Sequence, residues 1–143
     1  MKIPTLKTTL KNMKRDKIIF WTTTIIIFLF EGVLPAFFSQ TEGAKAGLHY
    51  LGYPQYFGNA LTVFEVLGAL ALIIPQIPKP IKELAYVGSA FNFIFASISH
   101  FSIQGLGFSG FFPLIFLVIL AISYVFYLRI KSLKNQPSQS VVA

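Results

Sequence analysis

Two glutamates stand where lipid would be expected to surround them. Glu31 lies in IFLFEGVLPAFF and Glu65 in LTVFEVLGALAL, and their neighbours are almost all apolar or small. A third stretch, FNFIFASISH, carries Asn92 and His100. Carboxylates and an imidazole brought together away from water can share protons and titrate as one coupled unit. They can also hold the polar head of a ligand, or simply satisfy one another and pin helices together. An ionised acid at mid-bilayer costs roughly 2.5–3.5 kcal/mol on insertion scales, so such residues mark function by default.

The spacing of these residues allows them to meet. Counted at about 1.5 Å per residue, Glu31 lies about 20 Å into its apolar run. Glu65 lies about 13 Å into a run going the other way, and His100 about 24 Å into the next. In a hydrocarbon core about 30 Å thick, all three fall in the same half. Small or helix-breaking residues surround them. Gly32 follows Glu31, and Pro35 cannot donate to the Glu31 carbonyl, which predicts a kink. Gly68 lies beside Glu65, and Gly88, Asn92, Ala96 and His100 recur every four residues. Small residues let helices approach in lipid, so this stripe is expected to face the bundle interior. Glu31, Glu65, His100 and Asn92 are the ligand-binding or proton-active candidates. Gly32, Pro35, Gly68, Gly88 and Ala96 are the packing or kink positions.

The elements that must position these groups follow from composition. Only 12% of the 143 residues are charged and 55% are hydrophobic, against about 25% charged in soluble domains. Four runs reach the length needed to cross a bilayer, at 18–38, 56–74, 84–103 and about 111–128. SQTEG, PQIPKP and QGLGFSG separate them. Of twelve Lys and Arg, only Lys45 lies in the first or third connection. The positive-inside rule then places both termini in the cytoplasm. Residues 1–17 read as a basic tail or an interfacial helix on the anionic inner leaflet, with Ile3, Leu6, Leu10 and Met13 on one face. Residues 18–130 form the membrane domain, and 131–143 read as a disordered tail. The fold class is all-α, an integral membrane four-helix bundle. Glu83 reads as a cap in the first turn of the third span, near Lys79 and Lys82.

Other chemistries find little support. There is no cysteine, so disulfide, thiol and iron–sulfur chemistry are excluded. No glycine loop to cradle phosphate, no nucleophile–base–acid set and no nucleic-acid module is present. No metal-ligand spacing stands out, and no metal site is assigned. His49 and His100 leave bis-histidine haem ligation geometrically open, without a CxxCH motif.

LGYPQYFGNALTVFEVLGALALIIPQIP, with IKELAYVGSAFNFIFASISHF and PLIFLVILAISYVFYLRIK, resembles the DoxX-like family. The marks are Leu51-Gly52-Tyr53-Pro54, Glu65 with Gly68, Pro75, Lys82-Glu83, Ala85-Tyr86, Gly88, and Ala96 to His100. The resemblance implies a small bacterial multi-pass protein of the inner membrane. It also implies a quinone as candidate cofactor and a membrane or redox protein as partner, with homo-oligomers open. Three functions remain in view. The first is an accessory or ligand-binding subunit that uses the Glu31/Glu65/His100 cluster and has no catalysis of its own. The second is a structural or assembly protein, and the third a minimal transporter or proton pathway. The partner in every case is the lipid bilayer, not nucleic acid.

Overall fold

The computed structural model describes residues 5–135, and among them every regular element is a helix. Helix α1 runs Leu6–Phe38, α2 Glu42–Tyr50, α3 Gln55–Ile73, α4 Lys79–Gln104 and α5 Phe108–Lys134. All but α2 are long and apolar enough to cross a membrane. The spanning helices form a closed ring in which α1 packs on α5, α5 on α4, α4 on α3 and α3 back on α1. Four antiparallel spans bring Leu6 and Lys134 to one end of the bundle, the terminal end. Helix α2 and the α4–α5 turn lie at the opposite, distal end.

The bundle is inverted relative to a soluble one. Its outer surface is Leu, Ile, Val and Phe, with Phe64, Leu84 and Val118 all more than half exposed. Lipid can cover these without penalty. The interior stripe of α1 is Asp16, Phe20, Thr24, Ile27 and Glu31, a 4-4-3-4 spacing that keeps one face inward. Three of those five are polar. Around them Ile27, Leu72, Tyr86, Phe93 and Leu120 form the apolar core. Phe30 stacks on Phe116 at 3.8 Å between ring centres, and Phe93 lies 5.9 Å from Phe116.

Helix α1 departs from the sequence reading in two ways. It is helical from Leu6 without a break into the first span, so residues 6–17 continue the helix of that span. Proline 35 does not simply kink it either. The turn Phe28–Val33 is a π-helix, and the N–H of Leu34 reaches the carbonyl of Leu29, five residues back. The wider turn takes up one extra residue before the chain reaches Pro35, which has no N–H to place. Glu31 and Gly32 sit inside it, both buried.

Other boundaries also shift. Helix α4 begins at Lys79, so Glu83 is past the first turn, and it pairs with Lys79 at 3.5 Å. Helix α5 continues through Lys131 to Lys134, so the tail expected from 131 is helical at its start. The rest of that tail, 136–143, lies outside the described residues, as does residue 3 of the basic face. The first connection contains α2, capped by Thr41, whose hydroxyl accepts from the N–H of Ala44. Gly52, at φ 86°, makes the turn from α2 into α3 that a side chain would resist.

At the terminal end Asp16 is fully buried between two guanidinium groups. Its oxygens lie 3.3 Å from Arg129 and 3.6 Å from Arg15. This pairing ties α1 to the end of α5.

Candidate functional site

The π turn of α1 presents Glu31 across the ring to α4, the helix diagonal to it. Ser89 donates its hydroxyl to Glu31 Oε2 at 2.5 Å. Asn92 donates Nδ2 to Glu31 Oε1 at 3.1 Å and to Glu65 Oε1 at 2.7 Å. One amide therefore bridges the two acids, using its two N–H donors on two carboxyl groups. Glu31 is 2% exposed and Glu65 is half-buried. No ion pair among the described residues includes either acid. Charge compensation on these side chains therefore has to come from protons or from a ligand.

One close approach holds this arrangement. A Cβ at Gly32 would come 2.9 Å from Ala69 on α3, so only glycine lets α1 and α3 meet at this level. Gly68 faces Ser89 on α4. On the opposite side the Phe30, Phe93 and Phe116 rings close the interior toward α5.

The side toward α3 and α4 is open. A cavity of about 460 Å³ between these helices is lined by Glu31, Glu65, Ser89 and Asn92 together with apolar side chains such as Phe64 and Leu84. A second cavity, about 540 Å³, continues toward the distal end beneath Leu48, Tyr53 and Phe57. The two share Leu61, Gly88 and Asn92, so they form one crevice with Asn92 at its middle. Tyr53 ties the α2–α3 turn to α4 through a 2.6 Å hydrogen bond to Ser99. Each cavity is within the usual range for a small-molecule site, about 300–1,000 Å³.

The sequence candidates divide accordingly. Glu31, Glu65 and Asn92 come together. His100 does not join them: it lies two turns beyond Asn92 along α4, about 12 Å by helical rise. Its Nδ1 is 3.4 Å from Gln104 Oε1, and it lines neither cavity. The expected Glu/Glu/His cluster is thus a Glu/Asn/Glu group with Ser89. The stripe Gly88, Asn92, Ala96 also turns out differently. The interior face of α4 is Lys82, Tyr86, Ser89, Phe93 and Ser97, one residue round from it. Gly88 and Ala96 line the crevice instead, and Gly88 has nothing within 4 Å of where a Cβ would stand. Ser89 was findable, since it is three residues before Asn92 on a helix and so shares its face. The π turn had no comparable signal. Among the described residues no three His, Asp or Glu side chains gather as a metal group would require.

A second interior polar group lies nearer the terminal end. Ser123 of α5 is 2.8 Å from the hydroxyl of Thr24 on α1 and 2.8 Å from that of Tyr86 on α4. All three residues are buried.

Comparison with known proteins gives one match. The family described as DoxX-like matches residues 19–123, which includes every residue of the Glu/Asn/Glu group. No curated protein and no solved structure matches the chain.

Proposed function

The chain belongs to the DoxX-like family, and on that premise we propose that it is a ligand-binding membrane subunit whose site is the α3–α4 crevice. The ligand class is a lipid-soluble molecule with a polar, hydrogen-bonding head, of which a quinone is the example. Its head meets Glu31, Asn92 and Glu65, and its apolar part lies along Phe64, Leu67 and Leu84. Entry is sideways from the bilayer. The redox chemistry belongs to a partner protein, and the carboxyl pair supplies or accepts the proton that accompanies reduction or oxidation of the head. The setting is a bacterial inner membrane with both termini in the cytoplasm.

One observation carries this reading: a carboxyl pair, one member buried and one half-buried, with no cation paired to it among the described residues, opens onto an apolar cavity between two spans. A competing reading has support of its own. Asn92 satisfies both acids within the protein, which a purely structural staple would also do.

Filling the cavity separates the two. Gly88→Leu adds bulk at the wall shared by both halves and removes no hydrogen bond. In nanodiscs, a short-chain benzoquinone with a photoreactive tail should label wild-type protein on α3 and α4. Labelling of Gly88→Leu should fall at least about tenfold, a loss of about 1.4 kcal/mol in binding, with thermal stability kept. Equal labelling of both proteins would favour the staple. Orientation is tested by impermeant thiol labelling of intact cells, where Thr41→Cys should react and Lys11→Cys should not.

A further inference from the structure

Five lysines converge on one cavity at the terminal end. Lys17 comes from α1, Lys79 and Lys82 from the start of α4, and Lys131 and Lys134 from the last turn of α5. They enclose about 370 Å³. Lys82 is only 4% exposed, and its ammonium donates to the Ile74 carbonyl at 3.0 Å. Tyr127 lies against the group, with the Lys82 and Lys131 ammoniums each 5.8 Å from its ring centre.

Acid is scarce around them. Among the described residues Glu83 pairs only with Lys79, at 3.5 Å. Among the described residues the other carboxylate at this end is Asp16, which pairs with Arg15 and Arg129. Like charges gathered around a partly desolvated space repel one another unless an anion enters. The aromatic wall formed by Phe20, Trp21 and Tyr127 adds apolar surface beside the charges. A basic pocket between spans, with apolar walls, suits the phosphate of an anionic headgroup whose chains remain in the bilayer.

We propose that this cavity binds a phosphate group, as the headgroup of an anionic lipid such as phosphatidylglycerol or as free phosphate. The site is separate from the α3–α4 crevice and does not depend on its function. It draws on helices α1, α4 and α5, so an occupant would clamp three of the four spans at the terminal end.

Trp21 is the single tryptophan of the chain and lines this cavity, which makes it a reporter. The delipidated full chain is titrated with brominated phosphatidylglycerol or brominated phosphatidylcholine, and quenching of Trp21 is followed. The proposal requires quenching at a lower fraction of phosphatidylglycerol than of phosphatidylcholine. Lys131→Gln with Lys134→Gln should weaken that preference roughly thirtyfold, from about 1 kcal/mol for each lysine near an anionic headgroup. These rim positions are chosen because Lys82 also holds the Ile74 carbonyl. Lys11→Gln with Lys14→Gln removes the same charge outside the cavity and should leave the preference within about twofold, since the change in general surface charge is screened.

Inorganic phosphate at millimolar concentration distinguishes the sources. Weak competition assigns the site to the lipid headgroup. A Trp21 response to phosphate alone, lost in the Lys131/Lys134 variant, with no lipid preference, assigns it to the free ion. Equal losses in both double variants would overturn the proposal, because bulk charge would then explain the effect. So would the absence of both a lipid preference and a phosphate response.

Discussion

Two of the polar groups inside this bundle are built differently. On the α1–α4–α5 side, Thr24, Ser123 and Tyr86 join three helices through neutral hydroxyls. Tyrosine and phenylalanine rings pack around them, and neither crevice cavity reaches them. On the α3–α4 side, two ionisable groups share one amide, and the space beside them is open. Both arrangements satisfy polar atoms in lipid. Only the second uses carboxyl groups, and only the second leaves room for another molecule. A staple has no need of carboxyl groups when hydroxyls serve the same purpose a few turns away. That contrast is the reason for placing the function on one side and the bracing on the other.

Removing the shared donor should produce the largest effect. Asn92→Leu leaves two carboxyl groups facing each other, Glu31 keeping only the Ser89 hydroxyl. Leaving a buried hydrogen-bonding group unsatisfied costs about 1–3 kcal/mol, and Asn92 serves two carboxyl groups, so SDS titration in mixed micelles should show a loss of about 2–4 kcal/mol. A loss under about 1 kcal/mol would mean that water already reaches the pair.

The hydroxyl group should be less sensitive. Ser123→Ala removes both contacts at once, and interhelical hydrogen bonds in membranes average about 0.6 kcal/mol with a maximum near 1.7. The same titration should therefore give about 1–2 kcal/mol and leave quinone labelling of the crevice unchanged. A change in labelling would show that the two regions are coupled through α4.

Glu83→Gln should have the smallest effect. Its partner Lys79 is half exposed, and pairs of this kind contribute about 0–1 kcal/mol. Stability and labelling should both stay near wild type. Loss of labelling in this variant would remove the distinction drawn here between structural and functional acids.

The sequence made some of this legible and left some hidden. The four spans are plain because apolar runs of bilayer length are broken by turn residues. The meeting of Glu31 with Glu65 follows from depth counting, since both lie within one turn of a common level. His100 escapes the same method because an error of a few residues in the start of a helix moves a side chain by a full turn. Helix α4 begins at Lys79, five residues before the apolar run suggests. The α4 stripe is misjudged by one residue because its inward face follows a 4-3-4-4 spacing, not a strict interval of four. The π turn lies just before Pro35 and where Gly32 meets Ala69 of another helix, a conjunction that no local pattern records. Asp16 is concealed among six basic residues of the N-terminal segment, where a buried acid would not be sought.

The most direct test keeps the shape of the site and removes its proton. Glu31→Gln retains an acceptor oxygen for Ser89 or Asn92 but cannot titrate. Binding of the benzoquinone probe is measured against pH in nanodiscs for wild type and for Glu31→Gln, with the melting temperature of each. Wild-type affinity should vary with pH. Glu31→Gln should melt near wild type yet bind roughly tenfold more weakly, as expected for loss of a charge-assisted hydrogen bond, with its pH dependence flattened. Wild-type affinity and pH dependence in a folded Glu31→Gln protein would contradict the account, and the carboxyl pair would then be a brace like the hydroxyls beside it.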